Sequence, residues 1–203
     1  FILFAWYARD LPSPGKLAQV TGNSTVFYDR DEKVLFEMYK DKNRYPVKLG
    51  QISDHFKKAT ISIEDKNFYK HQGVSQVGIL RAFFNIALGK GIQGGSTITQ
   101  QLIKNALLDS RRTFSRKIRE IILAFEVERR YSKDQILEMY LNEVYMGQEG
   151  AVAVHGMAEA AQTFFGKKLA AITDAEAAML AGLVKAPSFY SPRKHYKRAL
   201  ERA

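Results

Sequence analysis

At 203 residues, the chain is long enough to bury a hydrophobic core within one domain, and its apolar content is that of a globular protein. Its formal net charge of +10 predicts an acidic partner, such as nucleic acid, an anionic membrane surface or a phosphate-bearing substrate. The absence of cysteine excludes disulfides and thiolate metal sites, although it does not fix the compartment.

The N-terminal part predicts an apolar run, a linker and a β-hairpin. The opening run of eight apolar residues is too short to cross a bilayer, which needs about 20 such residues. We interpret residues 1–10 either as the end of a transmembrane anchor or as an ordinary buried strand or helix. Residues 11–50 predict a linker and then a hairpin, with strands at residues 25–29 and 33–37 around a polar turn.

From Gln51 onward the pattern is helical almost to the end of the chain. Ser75 is predicted to cap a helix that runs to about Leu88 and is apolar nearly all round, with only Arg81 and Asn85 as interruptions after its first turn. A helix of this kind lies either in a protein core or in a membrane interface, and the pattern alone leaves both open. Capping boxes at Ser132 and Thr173 predict the starts of two later helices.

The first candidate site is the segment from Ile63 to Gly73, in which Glu64 and Asp65 are adjacent. A helix that begins after the N-cap Ser53 places both carboxylates near its C-terminal end, where the helix dipole disfavours negative charge. Negative charge at an unfavourable end of a helix, with no local interaction that compensates for it, indicates a functional role. The alternative is a solvated Glu-Asp-Lys turn, which taken alone is the commoner explanation.

The second candidate site is the stretch from Gly94 to Asn105, in which two glycines and several hydroxyl residues begin a predicted helix capped by Ser96. The backbone N–H groups at such a helix start suit a phosphate or a sugar hydroxyl. The alternative is a well-capped helix with an exposed pair of glutamines.

The third candidate site is a basic cluster at the start of a helix that is predicted to begin at Thr113 or Ser115 and to run to about Arg130. Glu120 lies three residues after Lys117 and four after Arg116, so these charges share one side of the helix. The cluster comprises Arg111, Arg112, Arg116, Lys117 and Arg119. An exposed salt bridge is the usual explanation of this spacing. The cluster is dense for a single acidic partner, however, and it directly follows the hydroxyl-rich helix, so we expect the two helices to line one cleft.

Five segments in this order resemble the peptidoglycan glycosyltransferase family, the family 51 glycosyltransferases. They are Glu64-Asp-x-x-Phe68-x-x-His71-x-Gly73, Gly95-Ser-Thr-Ile-Thr-Gln-Gln101 with Lys104-Asn105, Arg116-Lys-Ile-x-Glu120, Lys133-x-x-Ile-Leu-x-x-Tyr-Leu-Asn142 and the region from Gly156 to Pro187. The chain is also similar to the class A penicillin-binding proteins, which carry this domain behind one membrane anchor. The resemblance assigns residues 51–192 to the glycosyltransferase domain, residues 75–93 to its membrane-interacting lobe, and residues 193–203 to the start of a linker to a C-terminal domain.

The resemblance implies a mainly α, lysozyme-like helical fold with a small membrane-dipping lobe and a short N-terminal β-hairpin. It also implies an enzyme that polymerises lipid II into glycan strands, with inversion at the anomeric carbon and release of polyprenyl diphosphate. The expected location is the outer, periplasmic face of the bacterial cytoplasmic membrane, behind a single-pass anchor.

Residue roles follow from the same resemblance. Glu64 is the expected catalytic base, which takes the proton of the acceptor hydroxyl. Glu120 is the second catalytic acid, and it is expected to hold the basic cluster, or a divalent ion, against the diphosphate. The expected substrate-binding residues are Ser96, Thr97, Gln100, Gln101, Lys104, Arg112, Arg116, Lys117, Arg119 and Asn142. The expected supporting residues are Asp65, Phe68, His71 and Gly73.

The resemblance implies Mg²⁺ or Mn²⁺ near Glu120, shared with the substrate diphosphate, with no dedicated metal site and no organic cofactor. The expected partners are lipid II, the growing glycan chain, membrane lipid (through the N-terminal anchor and residues 75–93) and moenomycin-type inhibitors, but not nucleic acid. Two alternatives compete. A lysozyme-like lytic hydrolase leaves the basic cluster unexplained, and a non-catalytic basic module that binds membrane or nucleic acid leaves the ordered motifs unexplained.

Overall fold

Helices make up most of the structure, a computed structural model that describes residues 7, 9, 11–19, 25–31, 34–38, 46–75, 78, 95–108, 111, 113–150 and 152–202. The α-helices are α1 (Lys16–Gln19), α2 (Asp54–Glu64), α3 (Ile98–Ala106), α4 (Phe114–Arg130), α5 (Lys133–Glu143), α6 (Met157–Phe165), α7 (Asp174–Leu183) and α8 (Tyr196–Arg202). Short 3₁₀ turns lie at Leu49–Gln51, Phe68–Lys70 and Leu169–Ala171. The mainly α fold is therefore confirmed.

Two antiparallel β-hairpins accompany the helices in the described residues. Strands β1 (Thr25–Tyr28) and β2 (Val34–Met38) form the N-terminal hairpin that the sequence predicts. Strands β3 (Tyr145–Glu149) and β4 (Val152–His155) form a second hairpin, where the sequence predicts only a break after a helix. The register of this second pair shifts before Gly147, whose φ of 128° favours glycine at the irregularity.

Four of the helices begin at caps that the sequence predicts, and one predicted cap is wrong. An N-cap side chain accepts a backbone N–H three residues later at Ser53, Thr113, Ser132 and Thr173. The prediction of Ser96 as the cap of α3 is wrong. Thr97 caps α3 instead, because its hydroxyl accepts the Gln100 N–H while the Gln100 side chain accepts the Thr97 N–H. Ser96 therefore lies outside the helix.

Helix α3 is central to the packing, since it contacts both α4 and α5. Its residues Ile98, Leu102 and Ile103 are completely or almost completely buried, and their spacing places them on one side of the helix. Leu123 of α4 and Leu137 of α5 are equally buried. Helix α2 packs separately against α7. The end of α2 and the start of α3, which carry two of the candidate sites, are thus both anchored in the core.

The predicted anchor and the predicted membrane lobe fall mostly outside the described residues. Of residues 1–10, only positions 7 and 9 are described. Of residues 75–93, only positions 75 and 78 are described. Among all described residues, no helix is both long enough and apolar enough to span a membrane.

Two backbone segments approach each other closely where the predicted lobe begins and ends. Ser75 Oγ accepts the Gly78 N–H at 3.1 Å, as expected where Ser75 caps a helix. A Cβ on Gly78 would lie 2.9 Å from the Gly95 carbonyl oxygen, and a Cβ on Gly95 would lie 3.1 Å from the Gly78 carbonyl oxygen. Glycine at both positions therefore lets the two backbone segments touch.

Two glycines that flank α6 give a matched test of packing. Gly156 has a φ of 76°, and a Cβ there would lie 2.6 Å from the Asn142 carbonyl oxygen. Gly166 has a φ of 66°, but the space around its Cβ position is open. We expect Gly156→Ala to lower the free energy of unfolding by about 3 kcal/mol and Gly166→Ala by about 1 kcal/mol. Urea unfolding followed by circular dichroism measures both losses, and equal losses would contradict the steric explanation.

Candidate active site

Glu64 is the last residue of α2, and its half-buried side chain is held by α3. Gln101 donates a hydrogen bond from Nε2 to Glu64 Oε2 at 2.9 Å. This bond joins the first candidate segment to the second. Among the described residues, none hydrogen-bonds the other carboxylate oxygen of Glu64. One oxygen is thus fixed in position, and the other can receive a proton.

Asp65 attaches the end of α2 to the start of α3. Its carboxylate accepts the Ile98 backbone N–H at 3.1 Å and lies 2.9 Å from His71 Nε2. The first N–H groups of a helix lack intrahelical partners, and the helix dipole favours a negative charge there. The side chains of Asp65 and His71 are only 6% and 10% exposed, so water competes little for this contact. The contact keeps Gln101 beside Glu64.

The loop that contains Gly73 packs directly against α4. The Thr97 hydroxyl donates to the Gly73 carbonyl at 2.6 Å. Gly73 has a φ of 80°, and a Cβ there would lie 2.7 Å from the Ala124 carbonyl oxygen. A larger residue cannot take this position without moving the backbone of α4. The predicted supporting role of Gly73 therefore has a steric basis.

The hydroxyl and amide residues at the start of α3 divide into two groups. Thr97 and Gln100 are buried, and their side chains are occupied by the capping box. Ser96 and Gln101 are more accessible, and they contact Lys117 and Glu64 respectively. Direct contact with a substrate stays a prediction for all four residues. Ser96 and Gln101 are the better placed for such a contact because their side chains are more accessible.

Lys117 links the basic cluster to the start of α3, as expected if the two helices line one cleft. Its Nζ donates to Ser96 Oγ at 3.0 Å and to the Glu120 carboxylate. Glu120 is 2% exposed, so Lys117 compensates a buried charge. Arg116 and Arg119 are half-buried, and neither Nε atom has a hydrogen-bond partner among the described residues. Donors of this kind are typical of sites that bind anions, and substrate binding by Arg116 and Arg119 stays a prediction.

Three predicted binding residues are placed less directly. Lys104 is exposed in the last turn of α3, and Arg112 lies outside the described residues. The Asn142 amide oxygen accepts the Val47 N–H at 2.9 Å, and its nitrogen donates to the carbonyls of Val47 and Glu138. Asn142 thus ties an N-terminal segment to α5, and its role in substrate binding stays a prediction.

A buried ion pair that the sequence does not predict lies among α3, α4 and α5. Glu128 accepts hydrogen bonds from the Thr99 hydroxyl at 2.5 Å and from Lys133 Nζ at 2.8 Å. The same Lys133 Nζ lies 4.5 Å from the centre of the Phe68 ring, a cation–π contact. Phe68 therefore packs against this ion pair, and its supporting role in the site stays a prediction. Lys133 heads the fourth motif, but nothing in the sequence pairs it with Glu128.

The arrangement brings a base candidate and an anion site onto one helix. Ser96, which contacts Lys117, directly precedes the N-cap of α3, and Gln101, which contacts Glu64, lies in the first turn of the same helix. A carboxylate that can receive a proton serves as a general base. Fixed cations stabilise a negative charge that develops on a leaving group. The geometry suits displacement of an anionic group by a hydroxyl nucleophile.

Comparisons with known proteins give one consistent family. A profile described as Transglycosylase matches residues 31–203. The chain is 43% identical to penicillin-binding protein 1A of Rickettsia bellii over 202 residues, which are 97% of this chain and 25% of that protein. It is 44% identical to penicillin-binding protein 1B of Vibrio cholerae over 175 residues, which are 85% of this chain and 22% of that protein. It is 45% identical to penicillin-binding protein 1A of Neisseria gonorrhoeae over 175 residues, 86% of this chain and 21% of that protein. The chain spans about a quarter of the length of these relatives.

The pair of Lys133 and Glu128 generates a stability prediction. Lys133→Met leaves the Glu128 carboxylate, which is 7% exposed, without its cation, so we expect a loss of about 3–5 kcal/mol in the free energy of unfolding. Arg129→Met is the matched control, because it breaks an exposed pair with Glu126 and should change stability by less than about 1 kcal/mol. Adding Glu128→Gln to Lys133→Met should recover most of the loss. Urea unfolding measures all three variants, and similar losses in the two single variants would contradict the assignment.

Proposed function

Because the chain belongs to the transglycosylase family, we propose that it is a peptidoglycan glycosyltransferase that polymerises lipid II into glycan strands. Lipid II is a disaccharide-peptide carried on a polyprenyl diphosphate. The observation that carries the proposal is the hydrogen bond from Gln101 to Glu64, on the same helix whose start contacts Lys117. A base candidate and a cationic site are thereby held in one rigid frame.

In the proposed reaction, the 4-hydroxyl of the acceptor sugar attacks C1 of the donor sugar from the face opposite the diphosphate. A new C1–O bond forms while the bond from C1 to the diphosphate oxygen breaks, and the polyprenyl diphosphate leaves with the electron pair. The configuration at C1 is therefore inverted. Glu64 takes the hydroxyl proton on the carboxylate oxygen that Gln101 leaves unoccupied.

The basic cluster receives the leaving diphosphate. Arg116 and Arg119 have buried Nε donors without a partner among the described residues, and a guanidinium can hold phosphate oxygens in a two-pronged contact. Lys117 acts as a point charge, and its bond to the buried Glu120 keeps it at the start of α3. Glu120 therefore acts by holding a cation in place. Lys104 and Arg112 extend the same cationic surface in this proposal.

Mg²⁺ or Mn²⁺ reaches this site with the substrate, and no organic cofactor takes part in the proposed reaction. The described residues contain no group of three metal-ligating side chains, and the Glu120 carboxylate already pairs with Lys117. In this proposal the ion takes its ligands mainly from the substrate diphosphate. Mg²⁺ commonly binds through substrate phosphates and only one or two carboxylates, and it then adds positive charge beside the leaving group.

The proposed surroundings follow from the substrate. Lipid II and the growing glycan chain lie at the outer, periplasmic face of the bacterial cytoplasmic membrane. Residues 1–10, as the end of an anchor, and residues 75–93, as a lobe, hold the domain at that membrane. The net charge of +10 complements both anionic lipid and diphosphate, so nucleic acid is not needed to explain it. Moenomycin-type inhibitors are expected to compete at the same site.

The two rival functions account for less of the site. A lytic hydrolase also needs a carboxylate, but a neutral glycan needs no cationic site for a leaving diphosphate. A binding module explains the basic cluster but gives no reason for Gln101 to hold Glu64.

Glu64→Gln should lower the rate of glycan formation from purified lipid II in detergent by about 10²–10⁴-fold, because the amide cannot take the hydroxyl proton. The matched control is Glu126→Gln, an exposed carboxylate on α4 whose loss should leave the rate unchanged. Thermal unfolding shows whether each variant is folded. A folded Glu64→Gln variant that keeps most of its rate would make Glu120 the next candidate for the base, and an inactive wild type would contradict the proposed function.

Removing divalent ions with EDTA should slow glycan formation, whereas adding Mg²⁺ or Mn²⁺ to the substrate-free chain should leave its Tm unchanged. The reason is that a ligand stabilises a protein only if it binds the folded state, and here the ion binds with the diphosphate. Glycan assays and thermal scans measure the two effects. A saturable rise in Tm with Mn²⁺ alone would contradict the shared-ion proposal by showing a protein metal site.

A further inference from the structure

Tyr140 of α5 is a buried tyrosine whose hydroxyl reaches the contact between Gln101 and Glu64. Its side chain is 0% exposed. The hydroxyl donates to Gln101 Oε1 at 3.4 Å, while Gln101 Nε2 donates to Glu64 at 2.9 Å. The hydrogen bonds therefore run in one direction, from the phenol through the amide to the carboxylate.

The Tyr140 hydroxyl keeps its proton. Burial raises the pKa of Tyr140 well above the ordinary value, and the nearby charges of Glu64 and Asp65 raise it further. The group is therefore a neutral hydrogen-bond donor at any working pH. Among the described residues, only Gln101 accepts a hydrogen bond from it.

This donor fixes which way the Gln101 amide is turned. A rotation by 180° would exchange the amide oxygen and nitrogen, so that the oxygen faced the Glu64 carboxylate and the nitrogen faced Tyr140. The buried Tyr140 hydroxyl would then lose its acceptor, which is unfavourable for a polar group shielded from water. Only the observed orientation satisfies the phenol, the amide and the carboxylate together.

We infer that Tyr140 is a positioning residue for glycosyl transfer, which acts through Gln101 to hold Glu64 in the orientation that receives the acceptor proton. The inference rests on the proposed function, because it takes Glu64 to be the base. Tyr140 is wholly buried, so it does not touch the substrate. Tyr140 lies at a position on α5 where the apolar periodicity predicts an ordinary core residue. Only its hydroxyl group distinguishes it from such a residue.

The test compares the full chain with Tyr140→Phe, which keeps the ring and removes the hydroxyl. We expect kcat for glycan synthesis from lipid II in detergent to fall about tenfold and KM for lipid II to change less than about twofold, because an interaction that matters only in the transition state is lost. Tyr131→Phe is the matched control. The Tyr131 hydroxyl donates to the Pro14 carbonyl at 3.3 Å, and its removal should leave both constants unchanged.

A second variant shows whether Tyr140 acts through Gln101. Gln101→Met removes both the donor and the acceptor of the amide while keeping a side chain of similar length. In that background, Tyr140→Phe should lower kcat no further, since residues that act through one contact are not additive. A hydroxyl with an independent structural effect would lower kcat by the same factor in both backgrounds.

Several outcomes would overturn the inference. They are a folded Tyr140→Phe variant with the wild-type kcat, an equal loss in the two backgrounds, and a Tyr140→Phe variant that does not fold, since the hydroxyl would then be structural. Failure of the proposed function is recognised separately, as a wild-type chain that makes no glycan or a folded Glu64→Gln variant at the wild-type rate. Either of those results would remove the basis of the inference as well.

Discussion

The contact of the Asp65 carboxylate with the start of α3 is the interaction on which the site depends. It joins residues that are 33 positions apart in the chain. A helix N-terminus attracts an anion through its unpaired N–H groups and its dipole, and His71 contacts the same carboxylate. Asp65 takes this structural task. The adjacent Glu64 is thereby left with a single fixed oxygen, and two neighbouring carboxylates can serve different purposes.

Helix α3 shows how one short segment can carry structure and chemistry together. Thr97, Thr99 and Gln100 turn their polar groups toward Gly73, Glu128 and the helix cap. Ser96 and Gln101 contact the cation and the carboxylate of the candidate site. The uncommon string of hydroxyls and amides is therefore partly a folding requirement. This explains why so many polar residues can begin a helix whose other side is almost fully buried.

The sequence is sufficient to predict features that depend on local chemistry. It is insufficient to predict features that depend on contacts between distant segments. Capping residues and apolar periodicity predict α2, α4, α5 and α7 closely, because both act within a few residues. The predicted cap of α3 is wrong because the sequence offers two suitable residues, Ser96 and Thr97. In the structure, Lys117 of α4 donates a hydrogen bond to the Ser96 hydroxyl. The hairpin of β3 and β4 is missed because its strands are short and glycine interrupts their pattern. The pair of Glu128 and Lys133 is visible only once three helices are packed.

The same limit applies to the candidate site. The motifs identify which residues belong together, and the structure shows how Glu64, Gln101, Ser96 and Lys117 are connected along α3. The orientation of the Gln101 amide, and the tyrosine that fixes it, follow from a contact between α3 and α5 that no spacing in the sequence reveals.

The close approach of Gly78 and Gly95 has a consequence for how such a domain can evolve. Gly78 and Gly95, which flank residues 79–94 in the chain, lie side by side with their backbones in close contact. Because the entropy of closing a loop grows only slowly with its length, insertions or replacements between these glycines are inexpensive for the rest of the domain. The residues between Gly78 and Gly95 can thus be replaced as a unit. Changes to this segment can therefore accumulate while the packing of α3 against α4 and α5 is retained.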